Sequence, residues 1–129
     1  MAAALWQHAA TDLAKLIASK QVSSVEVVEA HLTRIAEVNP SVNAIVRVLG
    51  EEARACAAQA DAAVSRGDAI GPLHGVPFTV KENIDMAGLP TTWGVPALAK
   101  AVVPLDAPIV QRMRAAGAIA IGRTNLPDM

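Results

Sequence analysis

The chain has 129 residues, 53% of them hydrophobic and 18% charged, which suits a folded domain and excludes a disordered, charge-rich segment. A net charge of −1 and only three aromatic side chains (Trp6, Phe78 and Trp93) offer no basic footprint or stacking platform, so direct nucleic-acid binding and attachment to an anionic membrane are excluded. The single cysteine, Cys56, rules out an internal disulfide; no run approaches a membrane span and the N-terminus lacks a signal-peptide pattern, so the expected location is the cytoplasm.

Thr11 is placed to cap a short helix in which Leu13, Leu16 and Ile17 share a face, broken at Gln21-Val22. Ser23 followed by Glu26 is a capping box, and Val25, Val28, Leu32 and Ile35 then recur at helical spacing until Asn39-Pro40. The Ser23-Ser24 pair lacks flanking glycines and reads as a cap, not as a nucleophile. Ala44 to Leu49 reads as a short strand or buried extended segment closed by Gly50. From Glu51 to Arg66 the chain is alanine-rich and helical, with Ala53, Ala57, Ala60 and Val64 on a narrow face of small side chains. Cys56, within it, is expected to be a small buried hydrophobe.

Val76 to Val80 follows a Gly/Pro-rich turn and is apolar enough for a strand, with Pro77 at its start or on an edge. Alternation puts Val76, Phe78 and Val80 on one face and Thr79 with Lys81 on the other. Lys81 thus ends an apolar strand just before the glycines and prolines of Asn83 to Pro104, where α/β proteins collect ligands. Asp106 is expected to cap a helix with Pro108 in its first turn; Ile109, Val110 and Met113 face inward and Gly117 ends it. Ala118 to Ile121 is wholly apolar, a strand buried on both faces and closed by Gly122. Strand, long connection, helix and strand outline a parallel crossover and therefore an α/β fold.

The string Gly71-Pro-Leu-His-Gly-Val-Pro-Phe-Thr-Val-Lys81-Glu-Asn-Ile-Asp85, continued by Gly88-Leu-Pro-Thr-Thr-Trp-Gly94, resembles the lysine region of the amidase-signature family. Gly122-Arg123-Thr124-Asn125-Leu126-Pro127-Asp128 is similar to that family's Gly-Lys-Thr-Asn-Met segment. The resemblance implies the N-terminal part of a mixed-sheet α/β/α sandwich, in which residues 1–129 are a single incomplete amidase domain. Residues 1–67 would be its mainly helical part; residues 71–129 would hold the lysine strand, loop, helix and strand of its core.

It further implies hydrolysis of a small-molecule amide by a Ser–Ser–Lys unit with Lys81 as the catalytic lysine, the second serine being held through a cis peptide. Asn83, Thr92, Thr124 and Asn125 match the motif and are expected to support the strand and loop; turn bonding by these residues is the alternative. No metal or cofactor is required, and His8, His31 and His74 are isolated, with His74 expected to be structural. Glu82 stands where the family commonly has Asp, and Val95 where it commonly has Ser. The family's glycine-flanked serine region lies downstream of the Thr-Asn segment, and no serine follows Ser65; the chain is therefore expected to be truncated and inactive alone.

An ordinary lysine is neutral in only about one molecule in 2,500 at pH 7, and a lysine base must be brought to roughly 7–8, which burial can supply. Three other readings stay open at this stage. One is the glutamine-hydrolysing subunit of a tRNA-dependent amidotransferase. The others are a Schiff-base lyase using the same amine and a non-catalytic α/β interaction module. The sequence leaves the oligomeric state unassigned.

Overall fold

Ser23 and Glu26 start the longest helix, α2, which spans Ser24–Val42 in a computed structural model that describes residues 3–127. The Ser23 hydroxyl accepts from the Glu26 backbone N–H at 3.1 Å, and the Glu26 carboxylate accepts from the Ser23 N–H at 2.8 Å, so the expected capping box forms. Asp61, from a later helix, accepts from the next two free donors, the N–H groups of Ser24 and Val25. Val27, Val28 and Leu32 are the buried apolar positions, whereas Val25 is exposed. The helix does not stop at Asn39-Pro40 but runs on to Val42, where Asn43 turns left-handed at φ 48°. Asn39 explains the extra turn. Its side-chain amide brackets Ile45 with bonds of 2.8 and 2.9 Å, so the end is held from outside while Pro40 forfeits a single ladder bond.

Helix α1 (Ala10–Ala18) begins after Ala9, with Thr11 inside its first turn and not at the cap. The Ala9 carbonyl accepts from both Asp12 and Leu13, and Asp12 complements the dipole without a side-chain cap. Leu13 and Ile17 pack with Val27 and Val76 in a cluster that joins α1 and α2 to the turn before the lysine strand.

Three strands form one sheet: β1 (Ile45–Val48), β2 (Pro77–Lys81) and β3 (Ile119–Thr124), in the order β1-β3-β2. β2 and β3 are parallel, joined through α4 (Pro108–Ala115), while β1 runs antiparallel to β3; the sheet is mixed and the expected crossover is present. Pro77 opens β2, where a missing N–H costs least. On one side Ile119 and Ile121 pack against α2 and α3 (Gly50–Arg66) through Val28, Leu32, Ala53 and Ala57. On the other, Val80 and Ala120 pack with Leu49, Met86 and Val110 beneath α4. Helix, sheet and helix make three layers.

Four more expectations are corrected. Cys56 is exposed: the alanine stripe of α3 is narrow, and close approach to the sheet covers only one column of residues. β3 does not close at Gly122 but continues through Arg123 to Thr124, because β1 passes so near that a Cβ at 122 would meet Ile45 Cγ2 at 2.9 Å. Asp106 is not the cap of α4, which starts after Ala107; its carboxylate instead accepts from the Ala87 N–H at 2.8 Å and pairs with Arg114 at 3.0 Å. Ile109 is 61% exposed, since α4 sets Val110 on the sheet and leaves Ile109 beside the outer edge of β2, which is unpaired among the described residues.

Two features fix the register of the parallel pair. Phe78 lies opposite Ala120 but Thr79 opposite Gly122, so Ile121 is an extra residue in β3, and Val80 then pairs with Arg123 and Lys81 with Thr124. At the other end the lead-ins to β2 and β3 cross at Gly117, whose φ is 91° and where a Cβ would stand 2.7 Å from His74 Cα. The Gly75 N–H donates to the Gly117 carbonyl at that crossing, at 2.9 Å.

Candidate active site

Lys81 is the last residue of β2 and, like Thr79, is exposed on the face opposite Phe78 and Val80, as alternation requires. It lines a groove along the strand's outer edge with Phe78, Val80, Ile84, Ile109 and Met113. No serine or cysteine is among the groove's residues. Beyond Lys81 the chain turns at once: the Glu82 N–H donates to the Thr124 carbonyl and the Ile84 N–H to the Lys81 carbonyl, both at 3.0 Å.

The loop that follows is held from two sides. Its arms meet at a bridge between Pro90 and Val102, and Gly88 donates to the Val103 carbonyl at 2.9 Å. Met86, 1% exposed, anchors it under α4. The Glu82 carboxylate accepts from the Thr92 N–H at 2.7 Å, the Thr92 hydroxyl at 2.8 Å and the Trp93 N–H at 2.9 Å. Trp93 is thereby held at φ 54°, a left-handed conformation that a bulky residue adopts only under outside restraint.

From the other side, Arg123 donates to the carbonyls of Pro90 (2.7 Å), Ile84 (2.8 Å) and Glu82. Its side chain is 2% exposed, and burial pushes the guanidinium below its ordinary pKa, against the attraction of Glu82. Neither Glu82 nor Arg123 was assigned a holding role by sequence reasoning. The available signal was a charged residue at each strand's C-terminal end where an apolar run stops.

Thr92 is brought to Glu82, and Thr124 lies opposite Lys81 with its carbonyl taken by the Glu82 N–H. Asn83 is half-buried, and its side-chain oxygen has no partner among the described residues. Asn125 points its bonds elsewhere. It donates to the carbonyls of Ala44 (2.8 Å) and Asn43 (3.1 Å) and accepts from Leu126, tying β3 to the turn before β1 and not to the lysine loop. His74 Nε2 is 2.9 Å from the Ala60 carbonyl and bonds the turn before β2 to α3, a structural contact. Asp128 of the second motif lies outside the described residues.

An exposed amine at a strand end thus has a groove beside it and a clamped loop behind it. The family model described as Amidase matches residues 26–129. The chain belongs to the amidase family.

Indoleacetamide hydrolase of Bradyrhizobium diazoefficiens is 48% identical over 124 residues, covering 96% of this chain and 24% of that protein. A glutamyl-tRNA(Gln) amidotransferase subunit of Acidothermus cellulolyticus is 40% identical over 96% of this chain and 25% of its own. Among solved structures, the peptide amidase from Stenotrophomonas maltophilia aligns with a TM-score of 0.86 at 34% identity, over 95% of this chain and 25% of that one. The chain thus spans about a quarter of the length of the curated relatives it matches. These amidase comparisons agree with the α/β fold that the motif resemblance implied.

Proposed function

We propose that residues 1–129 form one incomplete amidase domain whose full-length protein hydrolyses small-molecule amides, with Lys81 as the base of a Ser–Ser–Lys unit. The observation that carries this reading is the placement of Lys81 at the C-terminal end of β2, lining the groove, in a chain of the amidase family. The neutral amine accepts a proton through a bridging serine while the nucleophilic serine attacks the amide carbonyl; it then returns a proton to the leaving amine, and water releases the acyl group. Both serines come from outside the segment. The likeness to an indoleacetamide hydrolase favours an arylacetamide-like substrate.

The likeness to an amidotransferase subunit supports a second reading, release of ammonia from glutamine in a complex with partner subunits. Glutamine hydrolysis that appears only when partners are added would select it. No helix among the described residues is long and apolar enough to cross a membrane, and the exposed, unpaired Cys56 fits work in the reducing cytoplasm.

The test is Lys81→Ala in the full-length protein, read by the rate of active-site labelling with a fluorophosphonate. Labelling should slow by about 1,000-fold or more, with the melting temperature within about 2 °C because an exposed side chain contributes little packing. Labelling at the wild-type rate would make Lys81 structural and sink the proposal.

A further inference from the structure

Among the described residues β2 is paired on one side only, with β3, and Lys81 ends it, so the direction of the amine depends on what holds the turn behind it. That turn has two backbone bonds, from Glu82 to Thr124 and from Ile84 to Lys81, too few to fix the outgoing and returning arms of the loop together. The Glu82 carboxylate holds Thr92 and Trp93 of the returning arm from one side, and Arg123 holds both arms from the other. It sits opposite Val80, one residue before the lysine, and its guanidinium gathers the carbonyls of Glu82 and Ile84 from the outgoing arm and Pro90 from the returning arm. The fork of donors is planar and permanently charged, so three carbonyl oxygens are fixed by one rigid group.

This choice is costly as a device for stability alone. Arg123 is 2% exposed and belongs to no ion pair among the described residues, and its Nε has no acceptor there. A well-packed apolar side chain commonly stabilises such a site at least as well as a buried charge does. What an apolar residue cannot do is hold three carbonyls pointing inward. We propose that Arg123 is a positioning residue for Lys81: by drawing the carbonyls of residues 82, 84 and 90 onto one buried cation, it sets the turn that aims the amine. The inference rests on the reading of Lys81 as the catalytic base.

The experiment uses the full-length protein and four forms: wild type, Lys81→Ala, Arg123→Met and Arg123→Lys. Each is labelled with a fluorophosphonate across pH 5–10, separating the maximal inactivation rate from the half-saturating concentration. Arg123→Met should lower the maximal rate about 10- to 100-fold with half-saturation within about threefold, and displace the acid limb of the profile. Arg123→Lys, which keeps a cation with several donors, should return the rate to within about fivefold and restore the limb.

A folded Arg123→Met with wild-type rate and profile overturns the proposal, and so does a lysine variant no better than the methionine one. Failure of Arg123→Met to fold makes Arg123 a stability residue and overturns it equally. Lys81→Ala reports separately on the underlying reading: if it labels normally, that reading fails, whatever the Arg123 variants do.

Discussion

Glu82 shows how much one side chain decides beside the lysine. With three donors converging on its carboxylate, Glu82→Gln puts an amide NH2 against one of them and leaves that donor unmatched. The expected cost is about 1–3 kcal/mol. It should appear in urea unfolding of the full-length protein as a lower midpoint at unchanged slope, and an unmoved midpoint would mean that the loop is held by Arg123 without it. Lys81 was legible because period-two alternation and a following Gly/Pro loop are local signals. Glu82 and Arg123 were not, since their partners lie 10 to 41 residues away and, for Arg123, are carbonyls that every residue type carries. Cys56 and Ile109 mislead for a related reason: periodicity marks the centre of a helix face but not how wide a strip its neighbours cover.

At the scale of the element, α2 carries a pH dependence of its own. The backbone N–H of Ser23, and then its hydroxyl, hold the Glu26 carboxyl below its ordinary value of 4.5. A depressed carboxylate stabilises the fold fully above its unfolded value, and that stabilisation is lost as the pH falls through the folded one. The melting-temperature gap between wild type and Glu26→Gln should therefore be widest near neutrality and close as the pH falls below 4.5. A gap independent of pH would assign the effect to shape and not to charge. The N-terminal signal of α2 was readable because a capping box is complete within four residues. The end of α2 and the start of α4 were not, because Asn39 and Asp106 spend their side chains on Ile45, Ala87 and Arg114.

The sheet of the whole segment has two unpaired edges, on β1 and β2, among the described residues. Val46 and Val48 on β1 are each 47% exposed, and Leu105, shortly before α4, is 70% exposed. Residues 1–129 expressed alone should associate, eluting in light-scattering chromatography as species larger than a monomer at micromolar concentration, and Val46→Lys with Val48→Lys should reduce this. A sharp monomer peak from the unmodified segment would contradict it. The parallel crossover and the α/β class were visible in the order of strand, loop, helix and strand. The antiparallel pairing of β1 with β3 was not, because strands so far apart in the chain leave no local mark of their partnership.

The crossing at Gly117 bears on where this molecule is vulnerable. The alignment of Lys81 with Thr124 is inherited from a point just before the opposite end of β2, roughly 20 Å away by strand geometry, where two backbones touch with no room for a methyl group. Added bulk there would slide one strand along the other as a misplaced tooth shifts a rack. The amine would then arrive at the wrong address with every one of its immediate neighbours unaltered.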